Sequence, residues 1–429
     1  MTLDLRDILS EPVDWRHKSW PVGPAPVAVG DVGGQHWNAL SGDFSLPVLV
    51  LRESALENNL RAMEDYVHKH EVSLAPHVKT PASPQIAARQ ISHGAWGISV
   101  ANVHQARLFY LHGFRRILMA NELLDPPGLD WVAGRLDEDP DFEFWTLVDS
   151  AGDVELADKR LAAAGASRQL SVLVELGIVG GRSGCRSVEE ALDVARRVVA
   201  SNRLKLTGVE AYENVAPVET FEEKLLAVDE LLSRVRRLAE ELAAKDLVSA
   251  ESEMVISVGG SLFFDRVADA LAHGWRFRHP HRIVLRCGSY VTHDAGVYEQ
   301  YSPLAGRAAG GPRLKQALEL WAFVLSRPEP GLAVMGFGKR DVGHDRGMPV
   351  PFAWRRSGAG EPRPWRQSYE VIALNDQHAR MAVPATANLE VGDQIGFHVQ
   401  HACTTFDKWG LVPLVSDDYE VLDAIRCYL

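Results

Sequence analysis

The stretch VSLAPHVKTPASPQIAARQISHGAWGISVANVHQARLFYLHGFRRILMA, residues 72–120, decides the fold. Short apolar runs at 72–78, 95–100 and 116–120 are separated by longer segments whose apolar residues recur every three or four positions. Such runs between amphipathic helical segments predict βα units, and βα units in series predict a parallel sheet.

The rhythm continues on the C-terminal side. Strands are predicted at 143–148 (EFWTLV), 170–175 (LSVLVE), 205–211 (KLTGVEA), 253–258 (EMVISV) and 282–287 (RIVLRC). Over 218–244, Leu225, Leu226, Val228, Leu231, Leu232, Val235 and Leu238 fall at helical spacing. Eight strands alternating with helices point to a closed (β/α)8 barrel, placed at 47–305, rather than an open sheet. Beyond residue 300 the segments LELWAFVLS, GLAVMGFG, SYEVIALN and DQIGFHVQHA read as strands without long helices between them. They predict a C-terminal antiparallel β domain at 306–429. The first 46 residues, rich in Pro, Gly and Trp, read as an irregular segment that packs with the β domain.

The chain has 429 residues, 46% of them hydrophobic, enough for a large core, and a net charge of −12. An acidic balance argues against nucleic acid or an anionic membrane as partner. Apolar runs are too short to cross a bilayer, and MTLDLRDILSEPVDW lacks the features of a secretory signal. Cys185, Cys287, Cys403 and Cys427 show no paired spacing, so a reduced, cytoplasmic protein is expected, with room for one thiol as a metal ligand.

Active sites of such barrels are built at the C-terminal ends of the strands. The first strand runs into His77-Val78-Lys79-Thr80, where a partly desolvated lysine amine would suit Schiff-base chemistry, although a solvated loop lysine would look the same. After strands seven and eight come Gly259-Gly260-Ser261 and Gly288-Ser289. Barrel enzymes often bind phosphate at these two turns, on backbone N–H groups that glycine lets an anion approach closely. Ordinary βα turns would also carry glycines.

Taken in order, these motifs resemble one family. PHVKTPASPQIAARQISHGAWGISVANVHQARLFYLHGFRRILMANEL, 76–123, is similar to the start of the alanine-racemase-like barrel of D-serine dehydratases and D-threonine aldolases. The resemblance runs roughly from residue 45 to 415. It implies that Lys79, in the family's H-x-K-T motif, carries pyridoxal 5'-phosphate (PLP). LVELGIVGGRSGCR resembles the strand-five motif and implies that Arg182 contacts the cofactor's phenolic oxygen. EAYEN implies that Tyr212 lies near the pyridine ring. SVGGS and CGSYVTHD resemble the phosphate turns, which assigns Gly259, Gly260, Ser261, Gly288 and Ser289 to the phosphate. GDQIGFHVQHACTTFDKW resembles the C-terminal metal motif. Departures fall in the first forty residues, at Gln377-His378 and over 339–365, where substrate choice could differ.

On a strand, positions i and i+2 point the same way, so His401 and Cys403 could present an imidazole and a thiolate to one ion. Nitrogen and sulfur ligands suit Zn2+ best, with Mn2+ an alternative. In isolation an H-x-C pair is more often coincidence; the family resemblance reverses that. It also implies His-x-Cys for dehydratases against His-x-Asp for D-threonine aldolases. The expected function is therefore dehydration and deamination of a D-β-hydroxy amino acid such as D-serine, giving a 2-oxo acid and ammonia. Retro-aldol cleavage of D-threonine, racemisation and a non-catalytic PLP carrier are the alternatives. The family further implies a homodimer whose active site lies near the subunit interface.

Overall fold

Seven of the predicted apolar runs form strands close to their expected bounds in the computed structural model, which describes residues 3–428 except 22, 24, 214–217, 250–251, 308–310, 357–359 and 366–368. They are Ile98–Val100, Arg116–Glu122, Glu143–Val148, Leu170–Leu176, Leu204–Ala211, Met254–Ser257 and His281–Leu285. The first run is shorter: only Ser73–Leu74 is regular strand, because Pro76 has no N–H for a ladder. Each strand pairs in parallel with its neighbours. The ring closes through Trp96 N–H to the Leu74 carbonyl (2.7 Å), Ser99 N–H to Pro76 (2.9 Å) and Val78 N–H to Ser99 (2.9 Å). The predicted (β/α)8 barrel is therefore what the chain forms.

Ala75, Leu118, Trp145, Leu147, Leu173, Val255 and Val284 fill one apolar cluster among these strands, with Trp96 packed on Trp145 at 5.1 Å. Fully burying each such aliphatic side chain contributes about 1.5–3 kcal/mol. Five of the helices start at side-chain caps: Asn102, Asp125, Ser150, Ser187 and Thr220 each accept a backbone N–H of the first turn. The helix predicted over 218–244 spans Phe221–Ala244, with a Thr220/Glu223 capping box. Its spacing holds for Val228, Leu231, Leu232, Val235 and Leu238, which are buried, whereas Leu226 is exposed.

Contacts divide the chain into two units, 1–3 with 64–79 and 90–288, and 4–63 with 80–89 and 289–429. The expected boundaries at 46/47 and 305/306 are displaced for a physical reason. Strand Val48–Arg52 pairs antiparallel with Leu318–Glu329 and parallel with Leu411–Val415, so it belongs to the second unit's sheet. There, Leu318–Glu329 also pairs with Leu332–Met335 and Gln394–His398, and the sheet is otherwise antiparallel. The predicted antiparallel β domain thus forms, with an added N-terminal strand. Residues of the N-terminal segment, among them Ile8, Trp20, Val32 and Phe44, share one core with Trp321, Leu411 and Tyr419. No described helix is long and apolar enough to cross a membrane.

Candidate active site

Parallel strands bring all their C-terminal ends to one end of the barrel, and in the first unit that end gathers cations. Lys79 follows the first strand and is exposed, so the desolvation expected from the sequence does not hold for its side chain. The Arg182 guanidinium lies over the Tyr212 ring at 5.0 Å. Arg286, at the end of strand eight, is paired with Glu210 and donates to the Ala211 carbonyl at 2.9 Å. His77 registers the convergence. Burial, followed by the charges of Lys79, Arg286 and Arg182, holds its pKa well below the ordinary value, so the imidazole is neutral.

The glycine turns pack closely. Gly259 has φ +110°, a conformation that L side chains rarely adopt. A Cβ on Gly260 would press on the Tyr212 ring at 3.0 Å, and one on Gly288 would collide with the His77 carbonyl oxygen. Lys79, Arg182, Tyr212, Gly259, Gly260 and Gly288 thus belong to one barrel end. Ser261, half-buried, continues its turn. Ser289 begins the last segment of the second unit and opens the buried 3-10 turn Ser289–Val291. Asn214, in the EAYEN motif, lies outside the described residues.

In the turn expected to meet a phosphate, the Gly260 N–H donates to the Glu213 carboxylate at 2.6 Å. Glu213 is fully buried, its Oε2 has no hydrogen-bond partner, and burial raises its pKa despite the bonds from Gly260 and Gly259.

Carboxylates complete this end of the barrel. Ligand oxygens of Glu122, Asp149 and Glu175 lie within 4.8 Å of one another. Ser183 donates to Glu175 at 2.9 Å and the Gly184 N–H to Asp149 at 2.8 Å. Burial, then the nearby Glu210 and Glu122, pushes Glu175 far above the usual carboxylate range, so it holds its proton at neutral pH. Sequence reading missed Glu210, Glu213 and Arg286 in these roles. An arginine and two glutamates at or just past the ends of apolar strands were a signal, since such residues are rarely buried unpaired.

In the second unit, His401 and Cys403 stand together, but not on a strand. The strand ends at His398, His401 is the N-cap of helix Ala402–Phe406, and Cys403 lies in its first turn. The i, i+2 alternation argument therefore fails; a tight helical start brings the side chains together instead. A hydrogen bond with Cys403 is the largest influence on His401 and, with Asp345, raises its pKa. His401 Nδ1 lies 2.7 Å from Asp345 Oδ2, and Thr80 Oγ1 lies 3.2 Å from Cys403 Sγ. The four cysteines are free, and Cys185, Cys287 and Cys427 are buried.

These residues fit the groups the sequence implied. An exposed amine, a guanidinium beside an aromatic ring and the unpartnered, buried His77 Nδ1 and Arg286 Nε suit an anionic aromatic cofactor. The imidazole and thiol suit a divalent ion of borderline softness.

Comparison with known proteins agrees. Residues 317–415, which include His401 and Cys403, match the family model described as "Putative serine dehydratase domain". A 3-hydroxy-D-aspartate aldolase of Paracoccus denitrificans is 26% identical over 372 residues, 85% of this chain and 88% of the relative. A D-threonine aldolase of Arthrobacter sp. is 28% identical over 377 residues, 86% and 89% of the two chains. Among solved structures, D-threonine aldolase from Filomicrobium marinum superposes with a TM-score of 0.72 at 24% identity, over 90% of this chain and 95% of that one. D-threo-3-hydroxyaspartate dehydratase from Delftia sp. HT23 gives 0.69 at 21%, over 90% and 98%. D-threo-3-hydroxyaspartate dehydratase has also been solved with a histidine changed to alanine, and, in metal-free form, with a cysteine two positions later changed to alanine. An alanine racemase from Bacillus anthracis gives 0.58 at 13%, over 89% and 97%. At these identities the structural likeness establishes the fold.

Proposed function

We propose that this chain, which belongs to the D-serine dehydratase and D-threonine aldolase family of alanine-racemase-like, fold type III enzymes, is a PLP- and metal-dependent lyase that dehydrates D-β-hydroxy amino acids. Enzymes of the family use PLP, and its curated relatives are aldolases and dehydratases, which supports a lyase. The observation that carries the finer reading is the His401–Cys403 pair, in the spacing of the altered histidine and cysteine of D-threo-3-hydroxyaspartate dehydratase.

PLP, when bound, supplies an electron sink for the charge left at the substrate Cα. Lys79 would be the cofactor-bearing residue, and its amine would be the base for the α-proton. Arg182 and Tyr212 would hold the ring by charge and contact, and the turns at Gly259–Ser261 and Gly288–Ser289 would hold the phosphate through groups other than the Gly260 N–H, which Glu213 occupies. Glu175, protonated, is a neutral neighbour to Arg182 and leaves that guanidinium its charge. A divalent ion at His401 and Cys403 supplies Lewis acidity to a β-oxygen. The balanced reaction for D-serine is loss of water and then hydrolysis of the imine, giving pyruvate and ammonia.

Retro-aldol cleavage, giving glycine and an aldehyde, is the second reading, favoured by the names of relatives that match along most of the chain. The two are separated by product. Purified protein is incubated with D-serine, D-threonine and D-threo-3-hydroxyaspartate, and 2-oxo acid, ammonia, glycine and aldehyde are measured. Ammonia equal to 2-oxo acid supports dehydration; glycine with an equal amount of aldehyde from the same substrates replaces it by aldol cleavage.

A further inference from the structure

Asp345 lies 56 positions before His401 and belongs to none of the motifs above, yet both of its carboxylate oxygens are committed at the His401–Cys403 site. Oδ2 is 2.7 Å from His401 Nδ1, and Oδ1 accepts the Thr404 hydroxyl at 2.7 Å. One oxygen thus holds the imidazole and the other holds the helix that carries Cys403. The loop bearing Asp345 is fixed along that helix at further points. The Gly343 N–H donates to Thr405 Oγ1 at 3.0 Å, and a Cβ on Gly343 would collide with the Thr404 hydroxyl. The Trp409 indole N–H donates to the Asp341 carbonyl at 2.8 Å, and the Asp341 side chain accepts the Gly338 N–H at 2.8 Å.

An imidazole binds a metal through one nitrogen, and the hydrogen bond at the other decides which one. With Nδ1 held by Asp345, Nε2 is the nitrogen left for an ion. A carboxylate on the far nitrogen also makes the ring a stronger donor and removes its freedom to rotate. The Thr404 bond adds a second constraint, because it ties the orientation of the carboxylate to the backbone that sets Cys403.

We propose that Asp345 is the positioning residue of this centre: it fixes the His401 tautomer that offers Nε2 to the ion and locks the ring beside Cys403. The proposal rests on the reading that His401 and Cys403 hold a divalent ion. If Asp345 only fastened its loop to the helix, its loss would lower heat stability and leave metal affinity unchanged.

The test uses full-length protein stripped with chelator and titrated with Zn2+ and, separately, Co2+, against a chromophoric competitor. Parent, Asp345→Ala, Asp345→Asn and His401→Ala are compared, each with a melting temperature. Asp345→Ala is expected to lower Zn2+ affinity about 10–100-fold and to weaken or shift the thiolate-to-Co2+ absorption band. Asp345→Asn is expected to lose less, about three- to tenfold, because an amide oxygen still accepts the Nδ1–H bond. It carries the test if the alanine variant does not fold. Parent-like affinity and an unchanged Co2+ spectrum in Asp345→Ala, or in Asp345→Asn where only that folds, overturn the positioning role, whatever the melting temperature. A parent that binds no ion, or His401→Ala that binds as tightly as the parent, refutes the metal site itself and the proposal with it.

Discussion

Glu213 accepts the backbone N–H of Gly260 at 2.6 Å, so a carboxylate closes the turn where a phosphate was expected. Glu213→Ala frees that N–H, a donor, in a turn expected to meet an anion. The variant is expected to release PLP about three- to tenfold more slowly, and to be less stable by about 1–3 kcal/mol through the lost buried hydrogen bond. Cofactor release followed by absorbance, with a urea midpoint on the same sample, checks both. Faster release would show that Glu213 braces the turn.

Gly288 packs against the His77 carbonyl with no space for a side chain. Gly288→Ala should therefore cost about 1–3 kcal/mol or more through overpacking, read as a lower melting temperature. Gly134, inside helix Pro126–Glu138, is the control. A Cβ there meets nothing within 4 Å. Gly134→Ala should stabilise by about 0.5–1 kcal/mol.

His398 stacks on Phe352 at 3.9 Å, and burial, partly offset by Glu299 and reinforced by Arg52 and His293, lowers its pKa to about 4. Between that value and the ordinary one near 6.5, the unfolded chain binds a proton that the folded chain does not. The contribution is thus complete above about pH 6.5 and is lost as the pH falls toward 4, with a ceiling of roughly 3 kcal/mol. Urea midpoints at pH 7.5 and 5 should fall further for the parent than for His398→Gln. Equal falls would place the acid sensitivity elsewhere.

Chelation should abolish 2-oxo acid release while PLP stays on Lys79, and Cys403→Ala should behave like the chelated enzyme. The Lys79 amine remains to remove the α-proton, so exchange of that proton with solvent should persist. Cys403→Asp replaces the thiolate by a carboxylate that can also bind a divalent ion, and should raise the share of aldol cleavage over dehydration. Undiminished 2-oxo acid release with no metal detectable would contradict the role given to the ion.

The barrel was legible because its strands are buried on both faces and read as continuous apolar runs, as at Leu170–Leu176. The first strand was overestimated because Pro76 interrupts its ladder within a mostly apolar run, VSLAPHV. The membership of Val48–Arg52 was hidden for another reason. Four apolar residues followed by an arginine give no sign of whether the partner is the next strand or Leu318–Glu329, far along the chain. At the site, Lys79, Arg182 and Tyr212 were found through local motifs. Asp345 and Glu213 were not, since each acts on a residue far along the chain: 56 positions to His401 and 47 to Gly260. The geometry of His401 and Cys403 was misread because alternating apolar residues continue past His398 although the strand stops there.

Lys79 as the carrier of PLP is the claim on which the rest depends. The direct measurement is borohydride reduction of the purified protein, followed by proteolysis and mass spectrometry of the modified peptide, with Lys79→Ala in parallel. The expected result is a reduced pyridoxyl group on Lys79 in the parent. Lys79→Ala should give no such label and lose activity by roughly 10²–10⁴-fold. A label on another lysine, or a Lys79→Ala protein that keeps both label and turnover, would contradict it.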